Sequence, residues 1–401
     1  MRLLLTFILL LLVAGAGFVV LKPEFFQDRE EGPADEGSAS VPEIQVDTEH
    51  EPVVVPDAPL TTNVSTGGGL TVEIANKNQR AVDMLNNGRL DLAIALFEEC
   101  VEAAPDEEVL SRNLAEALAR LAQIQHESND AELRATSLET LARAVELDDS
   151  RPTLGSLYER WRKSAEAEKD FWHKQTDHFE LSFDGTRDEL MWGTAPLENE
   201  LESSYHEFGE LFGFFPVEAG RPRLRVVLYR KEGFDNVTGL GDWAGGVFDG
   251  TVRVPVEDLG RETENLKKVL RHELVHSFVQ ESGGPRVPGW LNEGLAQYLE
   301  PPFASGRVGD IRRAKEKLYG QELFTLDKLG GSLATWTDTQ AIRLAYAQSL
   351  VFVDYLDRMY GQQVLFDMVA GCKTGVTPIA TFKTRIGIDL AVVLEDFAAA
   401  F

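Results

Sequence analysis

The chain has 401 residues, 43% of them apolar, and carries a formal net charge of −27. This fits a globular protein of two domains behind a tail, and the acidity argues against nucleic acid and against docking on anionic lipid. Cys100 and Cys372 lie far apart among apolar neighbours, which predicts two buried thiols and no disulfide framework.

Leu3 to Leu21 is a run without a charge. Its nineteen residues would span about 28 Å as a helix, close to the hydrocarbon thickness of a bilayer. Arg2 precedes it and an acidic flank follows Lys22, so residues 1–22 predict a single-pass anchor with the rest of the chain extracytoplasmic, periplasmic or extracellular. A cleaved signal segment is the competing reading, because Ala14-Gly15-Ala16 resembles a small-residue cleavage site. From Lys22 to Leu70 eleven acidic residues face two basic ones, with many prolines and Gly67-Gly68-Gly69. Residues 23–70 therefore predict a disordered acidic linker.

Residues 71–169 predict helices. Ala81, Met84 and Leu85, then Ala93, Phe97, Cys100 and Val101, fall at helical spacing, with Gly88 between the sets and Pro105 after the second. Leu110, Leu114, Leu118 and Leu121 mark another amphipathic helix. The Ala93, Phe97 and Pro105 positions resemble a tetratricopeptide repeat, and a weaker copy returns at Leu141-Ala142-Arg143-Ala144. A polar insertion around His126 to Glu132 accounts for the long spacing, with His126 expected in solvent. Such stacks either present a concave face to a protein partner or act as a rigid spacer.

Residues 170–401 change character. His178 to Phe183 alternates like a strand, Leu190 to Phe212 reads as one long helix, and Leu224 to Tyr229 reads as a buried strand. Gly245 to Pro255 reads as a hairpin turning at Asp249-Gly250, and helices follow to the C-terminus. Strands followed by helices give an α+β layout.

The chemistry sits in Leu270-Arg271-His272-Glu273-Leu274-Val275-His276. Four residues of helix bring His272 and His276 onto one face, about 40° apart, where two imidazoles can grip one metal ion. Glu273 falls about 100° round from His272, beside the metal, where a general base for water belongs. Leu266, Val269, Leu270, Leu274 and Phe278 bury the helix, and Gly283-Gly284-Pro285 ends it. A second amphipathic helix starts near Pro288, and Glu293 in its first turns is the best third ligand. Glu300 and Glu281 are the alternatives.

His272-Glu273-Leu274-Val275-His276 with Trp290-Leu291-Asn292-Glu293-Gly294-Leu295-Ala296 resembles the gluzincin metallopeptidases, and within them the thermolysin-like, peptidase MA-like domains. The resemblance covers roughly Phe171 to Phe401. It implies one Zn2+ per chain held by His272, His276 and Glu293, with Glu273 as base. The sixteen residues between His276 and Glu293 are fewer than in the aminopeptidase branch. In gluzincins the strand beside the site helix binds the substrate backbone by adding it as a strand, which points to Gly245, Gly246 and Val247. Asp249 could hold a substrate amino group, although a plain turn aspartate is the favoured reading. Tyr346 in Tyr346-Ala347-Gln348-Ser349 resembles a tyrosine that faces the metal after the third ligand and could donate to an oxyanion; His178 and His206 are other donors.

These readings converge on a membrane-anchored extracytoplasmic zinc metallopeptidase that hydrolyses a peptide or protein substrate with zinc-activated water. Two alternatives stand beside it: a catalytically inactive or structural-zinc repeat protein acting as a binding scaffold, and a hydrolase of a non-peptide, cell-wall amide.

Overall fold

The computed structural model describes residues 71–401 apart from 129, 218–221, 239–244, 302–303, 332, 334–335, 337 and 400–401. The expected anchor and acidic linker lie outside the described residues. Among the described residues no helix is long and apolar enough to cross a membrane.

Five helices come first. They are α1 (Val72–Asn86), α2 (Leu90–Ala103), α3 (Glu108–Glu127), α4 (Ala131–Leu147) and α5 (Pro152–Glu168). Thr71 starts α1 by accepting the Ile74 N–H, and Asp130 starts α4 by accepting those of Glu132 and Leu133, so orphan amides of the first turns are satisfied. Ala81, Phe97, Leu114, Leu118, Leu141, Leu154 and Trp161 share one buried core. Cys100 and Cys372 are both free and buried, and burial raises each thiol's pKa.

His126 differs from expectation. Rather than standing in a solvated insertion, it occupies the last turn of α3 and stacks on Trp161, with ring centroids 3.9 Å apart and planes 8° from parallel. This turn of α3 lies against Trp161 of α5.

A five-stranded sheet follows: β1 (Phe171–Gln175), β2 (Phe179–Asp184), β3 (Leu224–Tyr229), β4 (Val247–Phe248) and β5 (Val252–Pro255), in the order β1-β2-β3-β5-β4. The central pairs β2–β3 and β3–β5 are parallel, and the outer pairs are antiparallel. Phe179, Leu181 and Phe183 face the main core, as the alternation predicts. The other face of β2 is also buried, because helices cover it: Glu180 and Ser182 are only 2% and 0% exposed, and Glu180 pairs with Arg134 of α4 at 3.1 Å. A buried parallel strand needs cover on both faces.

The expected long helix from Leu190 to Phe212 is two helices, α6 (Asp188–Gly193) and α7 (Ala195–Phe212). Pro196 falls in the first turn of α7, where its missing N–H costs nothing; inside a continuous helix it would break the ladder. After β3 come α8 (Lys231–Thr238), then α9 (Leu259–Gly283) and α10 (Gly289–Leu299). The chain closes with α11 (Ala304–Leu318), α12 (Thr339–Tyr360), α13 (Gln362–Lys373), α14 (Pro378–Ile386) and α15 (Leu390–Ala398). The architecture is mixed and mainly helical with a small sheet, consistent with α+β. The helix α9 lies at its centre, with Leu266, Leu270, Leu274 and Phe278 in the main core.

Candidate metal centre

The helix α9 starts at Asp258, whose carboxylate accepts the Arg261 N–H at 3.3 Å. It carries His272 and His276 one turn apart, both buried, with ring centroids 4.9 Å apart. The helix α10 returns against it after the turn at Gly284. Its first N–H groups are taken by loop carbonyls, Gly289 donating to Gly330 at 3.1 Å and Trp290 to Leu329 at 2.9 Å. This fixes the first turns of α10, where Glu293 sits.

Glu293 Oε2 lies 3.6 Å from His272 Nε2 and 3.9 Å from His276 Nε2. One donor atom from each of the three falls within 4.8 Å of the others. Among the described residues neither Nε2 makes a hydrogen bond, although both are buried. The opposite nitrogens are held: His276 Nδ1 lies 2.9 Å from Asn292 Oδ1, and His272 Nδ1 lies 3.3 Å from Glu300 Oε2. An imidazole fixed at Nδ1 presents Nε2 to a metal in the right tautomer. Two imidazoles and a carboxylate suit zinc, with a position left over for water. The donor set therefore fits the ion.

Electrostatics agree with that fit. Burial lowers the pKa of His276 to about 4, so its imidazole is neutral and able to ligate. Burial would lower His272 too, but Glu293 and Glu300 outweigh it and raise it to about 10. The pocket thus carries negative charge that calls for a cation, and a dication among the same atoms would answer it.

The alternatives for third ligand fall elsewhere. Glu300 orients His272, and Glu281 lies by Lys373 at the far end of α9. Sequence reasoning missed Asn292 as the partner of His276. It also missed Arg271, a 2% exposed arginine beside the first ligand. Arg271 donates to the carbonyls of Glu300 and Leu299 at 2.9 and 3.0 Å, which end α10, and to Ser204 and Glu207 of α7 at 2.8 and 3.0 Å. It joins the two ligand-bearing helices to α7. A charge inside an apolar helix stripe was the available signal.

Glycines bring two further elements close. A methyl group on Gly294 would meet the Ser349 carbonyl oxygen at 2.6 Å, so α10 and α12 approach backbone to backbone beside Glu293. Gln297 bridges the same helices, donating to the carbonyls of Glu293 and Tyr346 at 3.2 and 3.1 Å. The turn carrying Tyr346, a half-buried residue, therefore lies beside the turn carrying Glu293.

A methyl group on Gly246 would lie 3.0 Å from Glu273 Oε1 and 2.7 Å from Val269 Cγ1. The candidate substrate segment therefore runs directly against the candidate base. Only Val247 of that segment is in a strand, and β4 is the outer strand of the sheet among the described residues. Gly245 and Gly246 precede it without regular structure. Asp249 is buried and paired with Arg253 Nε at 3.2 Å, as suits a structural turn aspartate. His178 and His206 are not joined to the centre by any described contact; they gather with Glu202.

Residues 234–401, from within α8 to the C-terminal end, match the model of the Peptidase MA superfamily. The match contains His272, Glu273, His276 and Glu293 and supports a peptidase MA-like domain with peptidase activity. No curated protein matches the chain.

Proposed function

We propose that the protein is a zinc metallopeptidase of the gluzincin type, anchored by residues 1–22, with its catalytic domain outside the cytoplasm and peptides or proteins as substrates. One observation carries the reading: two buried Nε2 atoms and a buried carboxylate converge from α9 and α10, with Glu273 next to the first histidine and Gly246 against Glu273. His272, His276 and Glu293 would hold the ion. Zinc bound there supplies a Lewis acid for the scissile carbonyl and lowers the pKa of water toward neutrality.

The chain's own residues supply the rest. Gly245, Gly246 and Val247 bind the substrate backbone as an added strand beside β4. Glu273 takes the proton of the attacking water and passes it to the leaving amine. Tyr346 donates a hydrogen bond to the developing oxyanion. Asn292 and Glu300 keep both imidazoles in their ligating orientation. The helices α1–α5 would serve as tetratricopeptide-like repeats that offer a surface to a protein partner.

The test is metal analysis of the purified chain after dialysis against a weak chelator. One tightly held zinc per chain is expected, and His272→Ala or Glu293→Ala should lose it. Full occupancy in both variants would overturn the ligand assignment.

A further inference from the structure

A second cluster of metal-ligating side chains lies away from the centre. His178 immediately precedes β2, while Glu202 and His206 stand one turn apart on α7. One donor atom from each lies within 4.8 Å of the other two. Glu202 and His206 sit on α7 and His178 in the bend before β2, and their geometry is fixed from below. The His178 ring stacks on Tyr205 at 4.1 Å and meets the His206 ring edge-on at 5.2 Å. Tyr205 is fully buried, and its hydroxyl is locked at Val217, donating to the carbonyl at 3.0 Å and accepting the N–H at 2.8 Å. Glu202 accepts the backbone N–H of His178 at 3.0 Å through one oxygen and lies 2.6 Å from His178 Nδ1 through the other.

We infer that His178, Glu202 and His206 form a second site, for a transition-metal dication of the zinc class, that clamps the start of β2 to α7. Two imidazoles with one carboxylate select zinc, cobalt, nickel or copper over calcium or magnesium, which prefer all-oxygen shells. His206 is exposed, so water completes the coordination and metal enters from solvent. The site is shallower than the buried centre on α9 and α10 and holds its ion less tightly. Its effect is mechanical. The helix α7 packs on α9 through Arg271 and through Tyr205 against Phe278, so a metal that ties α7 to the sheet stiffens the bed on which the catalytic helix rests.

The test uses the full chain in detergent, with zinc chloride as the probe and bound zinc counted by equilibrium dialysis. Wild type should take up two zinc ions per chain at saturation and His206→Gln one. In a His272→Gln/His276→Gln background, which removes two donors of the buried centre, one equivalent should remain and be lost when His206→Gln is added. Zinc should raise the melting temperature of that background, and His206→Gln should abolish the rise. Cobalt(II) provides an independent reading, as visible absorption that disappears with His206→Gln. Zinc uptake that is the same with and without His206, or no uptake in the background variant, would overturn the second site. Neither result bears on the buried centre, which is read separately through His272 and Glu293.

Discussion

Arg271 caps the Glu300 carbonyl across the helix pair that carries the candidate metal centre. The Arg271 Nε–H donates to the Glu300 carbonyl at 2.9 Å, while the Glu300 carboxylate reaches back to Nδ1 of His272, the next residue after Arg271. The same carbonyls that end α10 are thus capped by the residue that precedes the first ligand. Registry between α9 and α10, and with it the approach of Glu293 to the two imidazoles, depends on that exchange.

Replacing Arg271 with Leu should therefore cost about 3 kcal/mol of stability, because it strands two buried carbonyls and removes a buried charge from its partners. Urea denaturation measures this. Arg271→Lys should recover only part, since a single ammonium cannot serve Ser204, Glu207 and both carbonyls at once.

Asn292→Ala and Glu300→Ala act on metal affinity. Each leaves the three donors in place but frees one imidazole to turn. Zinc affinity should fall roughly 10–100-fold in each variant, read by competition with a chromophoric chelator. Unchanged affinity in both would show that the Nδ1 contacts do not orient the ligands.

Gly246→Ala separates binding of metal from turnover. The added methyl group would press on Val269 and on the Glu273 carboxylate. Zinc content should stay at the wild-type level while kcat/KM falls by on the order of 10²-fold, the cost of displacing a catalytic group.

The legibility of these features in the sequence was uneven for physical reasons. His272, Glu273 and His276 could be placed because helical geometry alone fixes residues four apart on one face. Glu293 needed only a second helix returning over the first. Asn292, Glu300 and Arg271 could not be assigned, because their roles depend on how α10 rotates against α9, a tertiary property that no local spacing encodes. The break between α6 and α7 was written at Pro196 and lost beneath the apolar periodicity around it. His126 was misplaced because its polar neighbours suggested solvent, whereas its stacking partner Trp161 comes from another helix.

His126 also gives the fold a pH dependence. Burial, with help from the positive charges of Arg225 and Arg253, lowers its pKa from 6.5 to about 3. As pH falls through 6.5 the unfolded chain takes up a proton that the folded chain refuses, so stability declines until the folded imidazole also protonates at about 3. His126→Phe keeps an aromatic ring over Trp161 and removes the titration. Its denaturation midpoint should fall less than that of wild type between neutral pH and pH 4, and parallel curves would sink the assignment.

The central claim is that Glu273 activates water for peptide hydrolysis at a zinc ion held by its neighbours. The most direct measurement is digestion of a broad peptide library by wild type and Glu273→Gln, with zinc content determined on the same samples. Wild type should cleave, and Glu273→Gln should keep its buried zinc while cleavage falls by roughly 10²–10⁴-fold. Equal cleavage by the two proteins, or no cleavage by zinc-loaded wild type across the library, would contradict the account.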